Sequence, residues 1–203
     1  TKDYKNVLKH FCELSQIPRG SGYNEKISEW LCNFAREHGF TYEQDAALNV
    51  IIRKPATSGY EGAPVVILQG HMDMVCVKDE GCLHDFSSDG LELCTDGELI
   101  YANGTTLGAD DGIAMAYMLS VLLDDKLQHP ELICLITTDE ETGMDGAKAV
   151  APEKIKAEYL INIDSEEEGV CWCGCAGGQH LELRLPLVWE AKNGYIMSVT
   201  LGG

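Results

Sequence analysis

The sequence has no long apolar run. No stretch of the 203-residue chain approaches the roughly 20 apolar residues that a membrane-spanning helix requires. The opening segment, TKDYKNVLKH, also lacks the charged-then-apolar order of a signal peptide. We therefore expect a globular, cytoplasmic protein that does not enter a membrane.

Basic residues are scarce as well. Lysine and arginine number 15 against 33 aspartates and glutamates, which gives a formal net charge of −18. A negative field of this size repels the phosphate backbone of nucleic acids and attracts cations. The composition therefore argues against a nucleic-acid partner.

The cysteines do not form the even set expected of a secreted disulfide framework. There are nine of them, and several, such as Cys32 and Cys134, stand among apolar residues. This pattern favours buried free thiols over disulfides. The triplet Cys171, Cys173 and Cys175 is compatible with a soft metal, but its two-residue period is more typical of one buried face of a strand.

The chain does contain alternating helical and strand patterns. Helices are predicted at about 3–15, at 24–39 with Asn24 as N-cap, at 109–123, and between the last two strands. Strands are predicted at 48–53, 64–70, 132–138 and 159–163, with a hairpin over 91–102. This order predicts an α/β fold with a mostly parallel sheet covered by helices on both faces. From residue 177 onward, apolar alternation predicts the first antiparallel strands of a second domain.

Acidic clusters follow three of the predicted strands directly. In an open parallel sheet, ligands bind outside the carboxyl ends of the strands, so these side chains should converge on one edge. Asp110, which precedes the apolar helix, can join them. The converging residues are His71, Asp73, Glu140, Glu141 and Asp164. One imidazole with several carboxylates is typical of a divalent metal site, above all a zinc site.

Each cluster also has a simpler interpretation when it is taken alone. Asp110 and Asp111 suit the N-cap and first turn of a helix, where the helix dipole favours negative charge. Glu140 and Glu141 suit a solvated loop. The coincidence of three clusters after three apolar strands favours the metal site, because unpaired charge in such positions is costly to bury.

Several motifs, in fixed order, resemble those of the aminoacyl-histidine dipeptidases. These Xaa-His, or carnosine-type, enzymes are a branch of the dinuclear zinc peptidases. The motifs are 17-IPRGSGYNEK-26, 70-GHMDMV-75, 104-GTTLGADDGIAMA-116, 137-TTDEETGMDGA-147, 161-INIDSEEEG-169 and 174-GCAGG-178. The resemblance covers nearly the whole chain and implies an α/β catalytic domain of the zinc-peptidase type.

The resemblance also implies a role for each clustered residue. Asp110 would bridge two zinc ions, with cobalt or manganese as alternatives, and the Asp110–Asp111 peptide bond would be cis. His71 and Asp164 would complete the site of one ion. Glu141 would bind the other ion and Glu140 would be the general base. Asp73 would orient His71.

The implied activity is hydrolysis of dipeptides, and this branch favours the Xaa-His type. Alternatives are an N-acyl amino acid deacylase or tripeptidase of the same superfamily, or a non-catalytic metal-binding derivative. The presence of both Glu140 and Asp73 argues against the non-catalytic derivative. Residues 1–178 would form most of the catalytic metal-binding domain, and 179–203 would begin an inserted α+β lid that forms a homodimer. Because the second ion's imidazole would come from a later part of the chain, these 203 residues alone are expected to be inactive.

Overall fold

The computed structural model describes residues 4–165, 167, 169–178, 182, 184, 186, 194 and 197–199. Contacts within the chain group residues 1–166 into one unit and residues 167–203 into a second. The predicted lid strands at 179–203 therefore fall mostly outside the described residues. Within the described part of the chain, no helix has the length and apolar character needed to cross a membrane.

The described residues of the larger unit form four α-helices and seven strands. The helices are α1 Tyr4–Ser15, α2 Glu25–Glu37, α3 Ala109–Leu123 and α4 Asp145–Ala149, with a 3₁₀ turn at Pro152–Lys154. The strands are β1 Thr41–Gln44, β2 Val50–Lys54, β3 Val66–His71, β4 Leu93–Thr95, β5 Ile100–Ala102, β6 Leu132–Thr137 and β7 Tyr159–Asn162. The predicted helices and strands are confirmed to within a few residues, as is the hairpin, which is formed by β4 and β5. Strand β1 was not predicted.

The main sheet has five strands in the order β1-β2-β6-β3-β7. Strands β6, β3 and β7 are parallel, whereas β1 and β2 run antiparallel to their neighbours. The α/β class is confirmed, but the sheet is more mixed than predicted. The short connection 45–49 accounts for one of the two antiparallel pairs, β1 with β2, because a connection of this length joins antiparallel strands and a parallel pair needs a longer crossover.

The core lies mainly on one face of the sheet. There α1, α2 and α3 pack together and against side chains of β2 and β6, such as Ile52 and Ile136. Helix α3 is apolar because it is enclosed, with Met115, Met118 and Leu119 fully buried. Each such side chain contributes about 1.5–3 kcal/mol by leaving water.

The opposite face of the sheet has a thinner cover. Ile51, Ile67, Ile133 and Leu135 form a smaller cluster there. Residues beside α4 and the 3₁₀ turn pack against this cluster; they are Val150, Ile155 and Ala157. Helical segments therefore cover both faces, as predicted, but unequally.

The cysteines correct one expectation from the sequence. All nine are free, and Cys32 and Cys134 are buried as expected. Cys171, Cys173 and Cys175 are exposed and lie outside any strand, so the prediction that they fill a buried strand face is wrong. Their two-residue period has no structural consequence here, because the segment forms no sheet that could bury one side.

Candidate metal centre

The parallel strands bring the predicted side chains to one edge of the sheet. Strand β3 pairs with β6 on one side and with β7 on the other. Their carboxyl ends therefore lie side by side, and each is followed by one of the acidic segments. His71 is the last residue of β3, and the first turn of α3 brings Asp110 against its ring, with His71 Nε2 3.0 Å from Asp110 Oδ1.

A glutamate and a further aspartate lie near the same imidazole nitrogen. His71 Nε2 lies 3.9 Å from Glu140 Oε2 and 3.9 Å from Asp164 Oδ2. Three groups of side chains each place one potential ligand atom per residue within 4.8 Å of one another. They are His71–Asp110–Glu141, His71–Glu140–Asp164 and Asp110–Asp111–Asp164. The structure thus brings together all five residues predicted at the metal ions or as the base.

Asp73 lies beneath this cluster and is completely buried. Its carboxylate accepts hydrogen bonds from Ser21 Oγ at 2.7 Å, the Glu140 amide at 3.1 Å and the Glu141 amide at 3.4 Å. Burial opposes ionisation, but the hydrogen bonds from His71, Ser21 and the Glu140 amide outweigh it and lower the pKa of Asp73. One carboxylate therefore fixes both the histidine and the backbone that carries the two glutamates.

The surroundings of His71 select one tautomer of the imidazole. Nδ1 lies 3.1 Å from the carbonyl oxygen of Asp73 and 3.3 Å from its Oδ1. Both atoms are acceptors, so Nδ1 carries a proton in either arrangement. When the imidazole is neutral, the lone pair of Nε2 faces the acidic side chains, which is the form in which histidine binds a metal.

The two adjacent aspartates point in different directions. The Asp110–Asp111 peptide bond is cis, which confirms the expectation drawn from the resemblance. The Asp110 side chain is 60% exposed and faces His71 Nε2. Asp111 is buried instead, and its Oδ2 accepts a hydrogen bond of 3.1 Å from the His71 amide. A Cβ atom at Gly70 would lie 2.4 Å from that same oxygen, so residue 70 must be glycine for Asp111 to reach the strand.

The site contains more acidic groups than its single histidine can balance. Burial and the neighbouring Asp164 raise the pKa of Asp111 to about 8. Burial and the charges of Asp110 and Glu140 raise the pKa of Asp164 to about 6, although His71 opposes them. The pKa of Glu141 is also raised, by burial and then by Asp110. The carboxyls therefore resist ionising together, and a divalent cation would relieve this repulsion. The donor set of one imidazole and several carboxylates suits such a cation.

The loop between α1 and α2 contributes residues whose roles the sequence did not reveal. Arg19 is buried beside the segments of Asp73 and Asp110. The Gly22 amide and Asn24 Nδ2 each donate a hydrogen bond of 2.7 Å to Asp139 Oδ1. The prediction that Asn24 caps α2 is therefore wrong with respect to its side chain, which makes no capping hydrogen bond. The only signal in the sequence was the motif 17-IPRGSGYNEK-26, which contributed to the family resemblance but assigned no role to any of its residues.

A cavity of about 730 Å³ borders the cluster. Glu141 and Ser21 line its inner side, and Met74 and Phe86 supply apolar surface. Because Ser21 also donates a hydrogen bond to Asp73, the cavity adjoins both the carboxylate cluster and the residues beneath it. Its volume is within the range of small-molecule sites.

Similar proteins are peptidases. The chain is 45% identical over 181 residues to the cytosol non-specific dipeptidase of Escherichia coli, an alignment that covers 89% of this chain and 37% of that protein. Among solved structures, the aminoacylhistidine dipeptidase of Vibrio alginolyticus matches with a TM-score of 0.80 and 41% identity over 83% of this chain and 34% of the other. A tripeptidase from Staphylococcus aureus matches with a TM-score of 0.68 and 27% identity over 80% and 44%. The chain thus spans less than half the length of these proteins.

A family pattern matches the part of the chain that carries the acidic clusters. The match covers residues 67–179, which is more than half of the chain and includes every residue of the cluster around His71. Together with the similarity to the dipeptidases, this match shows that the chain belongs to Peptidase family M20/M25/M40.

Proposed function

We propose that the full-length protein is a metal-dependent dipeptidase that uses two divalent ions and prefers Xaa-His substrates. The observation that carries the proposal is the convergence of His71 with the carboxylates of Asp110, Glu140, Glu141 and Asp164 at one edge of the sheet, where these five residues come from four segments in all. The similarity to an aminoacylhistidine dipeptidase supports the substrate class.

The geometry supports a specific assignment of ligands. His71, Asp110 and Asp164 each belong to two of the three ligand groups, and the two groups of Asp110 contain Glu141 in one case and Asp164 in the other, the residues proposed for different ions. His71 and Asp164 would complete the site of one ion, and Glu141 would bind the other. Zinc suits this mixture of nitrogen and oxygen donors best, and cobalt or manganese are alternatives.

The residues of this chain would divide the work of amide hydrolysis. Bound divalent metal lowers the pKa of water to about 7 and polarises the scissile carbonyl. Glu140 is partly exposed, with its Oε2 3.9 Å from His71 Nε2. Its carboxylate would accept the proton of the attacking water and deliver it to the leaving amine. Asp73 would hold the Glu140 backbone and the His71 tautomer so that neither group has to reorganise during the reaction.

The proposal for the whole protein extends beyond this chain. Among the described residues, the second ion would have only Asp110 and Glu141 as ligands, because His71 is the one histidine in the cluster. We propose that a later part of the full-length protein supplies the missing imidazole, and that residues 179–203 begin a lid domain through which the cytoplasmic enzyme forms a homodimer. Residues 1–178 would then be most of the catalytic domain.

A tripeptidase is a second candidate, because a solved tripeptidase shares 27% identity and a TM-score of 0.68 with this chain. The two activities would share the metal site and differ in the residues that bind the substrate ends. Hydrolysis rates for an Xaa-His dipeptide, a tripeptide and an N-acyl amino acid would separate them and the deacylase alternative. Wild-type protein that binds metal but cleaves none of the three would be a non-catalytic derivative.

The assignment of Glu140 as the general base is tested by substituting Glu140 and, separately, its neighbour Glu141. Glu140→Gln in the full-length protein should lower turnover by about 10²-fold or more, the expected scale for a positioned general base, and leave the metal content unchanged. Glu141→Gln is the matched control, and it should lose metal. If Glu140→Gln instead loses metal and Glu141→Gln retains it, the two roles are exchanged.

A further inference from the structure

We propose that Arg19 is a positioning residue of the metal centre, which holds the segment of His71 and the segment of Asp110 at a fixed separation. This inference rests on the proposed function in one respect, because it assumes that both segments bind metal. The geometric basis is the placement of one buried guanidinium between the two segments.

The contacts of Arg19 connect both segments. Its side chain is almost completely buried. Nη1 donates to the carbonyl oxygens of Met72 at 3.2 Å and Asp73 at 3.3 Å, in the segment that follows β3. Nη2 donates to the carbonyl oxygen of Gly108, which directly precedes α3. One rigid group therefore joins the segments that present the imidazole and the candidate bridging carboxylate.

The shape of the guanidinium is essential to this arrangement. The acceptors are served by two different nitrogens of one planar fork, which fixes their spacing and direction. A lysine ammonium is a single point on a flexible stem, so it cannot reproduce two donors held at a fixed separation. The interaction should therefore depend on arginine itself rather than on positive charge alone.

The first turn of α3 is shaped around this side chain. A Cβ atom at Gly112 would lie 2.6 Å from Arg19 Nη2, and one at Gly108 would lie 2.5 Å from the same nitrogen. Gly108 also has a positive φ of 63°, which is an independent reason for glycine. Gly112 has no such reason, so close packing against Arg19 and Phe11 explains the absence of a side chain there.

The backbone of the arginine is anchored as well. The Met74 amide donates to the Arg19 carbonyl at 3.0 Å, and the Ser21 amide donates to the Met74 carbonyl at 3.2 Å. The main chain of residues 19–21 is thus paired with the segment after β3. Because both ends of Arg19 are fixed, its guanidinium can set the position of the Gly108 carbonyl, and through it that of Asp110.

The charge of Arg19 also suits its position. Burial lowers the pKa of Arg19 to about 10, against the opposing effects of Asp111 and Asp73, so the group remains charged at neutral pH. A fixed positive charge below the carboxylates compensates part of their repulsion without occupying the position of a metal ion.

The test uses the full-length protein and measures metal binding instead of activity alone. Arg19→Met removes the fork, and Arg19→Lys retains the charge. Arg53→Met is the matched control, because Arg53 is a half-buried arginine on β2 whose side chain donates to the Lys154 carbonyl outside the cluster. The affinity of each metal-free variant for zinc is measured by competition with a chelator, and the Co²⁺ absorption spectrum reports the ligand geometry.

We expect Arg19→Met and Arg19→Lys each to weaken zinc binding by about tenfold or more and to alter the Co²⁺ spectrum, as loss of a group that orients metal ligands does. Arg53→Met should keep the wild-type affinity even if it unfolds more easily. Wild-type affinity and spectrum in both Arg19 variants would overturn the inference, whatever their stability. If Arg19→Met does not fold, Arg19→Lys decides the question by the same criterion. If the wild-type protein binds zinc but cleaves no peptide, the peptidase proposal is refuted. The zinc affinities of the Arg19 variants can still be compared with that of the wild type.

Discussion

Replacement of Asp73 by asparagine offers a direct test of how the metal centre is held together. The substitution keeps the size and shape of the side chain and removes its negative charge. Asp73 is completely buried, and three donors and the His71 ring surround its carboxylate. An amide can offer one acceptor oxygen to this set, but its NH₂ group would face backbone amides that are themselves donors.

The expected cost follows from these contacts. Hydrogen bonds to a charged group contribute about 1.5–3 kcal/mol each, and the amide should lose one or two of them. The free energy of unfolding of the metal-free protein should therefore fall by about 2–4 kcal/mol. Zinc affinity should fall by about 10- to 100-fold, because His71 and the Glu140–Glu141 backbone lose their common anchor.

Urea unfolding of the metal-free protein and zinc titration against a chelator measure the two effects separately. The matched control is Asp45→Asn, because the Asp45 carboxylate accepts hydrogen bonds from Ala47 and Asn49 in the turn between β1 and β2. The control should lose stability but bind zinc as the wild type does. If Asp73→Asn also binds zinc with wild-type affinity, Asp73 stabilises the fold without organising the ligands. Its role as the common anchor of His71 and the Glu140–Glu141 backbone is then refuted.

In metal-free protein, the free energy of unfolding should fall as the pH rises from about 4 to about 9. The reason is that folding raises the pKa of Asp111 from 3.8 to about 8 and the pKa of His71 from 6.5 to about 9, so the folded protein holds more protons over this range. Urea unfolding near pH 5, 7 and 9 measures this dependence, and a flat profile contradicts it. Iodoacetamide should modify exposed cysteines such as Cys171, Cys173 and Cys175 in the native protein but not Cys134, whose thiol pKa burial raises to about 12, as peptide mass spectrometry can check. The isolated 203-residue chain should hold at most one tightly bound zinc and show negligible Xaa-His hydrolysis. Two tightly bound ions, or turnover like that of the full-length protein, would show that these 203 residues already complete the site.

The convergence of the acidic clusters could be predicted because its cause is local in the sequence. An apolar run followed at once by polar residues places those residues at the carboxyl end of a buried strand. Parallel neighbours then bring such ends together, and β6, β3 and β7 are parallel. His71 and Asp164 could therefore be placed near each other although 93 positions of sequence separate them.

The supporting residues could not be predicted because their contacts depend on how the segments cross in space. The hydrogen bonds of the Arg19 side chain go to backbone carbonyls, which every residue possesses, so no residue type in the sequence indicates its partners. The resemblance gave Asp110 a role but none to Asp111, whose side chain the backbone turns away from the His71 ring and toward the His71 amide. Strand β1 was missed because its four residues, TYEQ, have little apolar character and none of them is fully buried.

The distribution of charge explains how metal binding and proton binding compete at this site. In the absence of metal, burial disfavours a charged His71, but Asp73, Asp111 and Asp164 outweigh it and raise the pKa of His71 to about 9. At neutral pH the imidazole therefore holds a second proton on Nε2, the nitrogen that faces Asp110. A divalent ion must displace that proton, so zinc affinity should fall as the pH is lowered, and binding should release protons. The proton and the metal are thus alternative counter-charges for the same carboxylates.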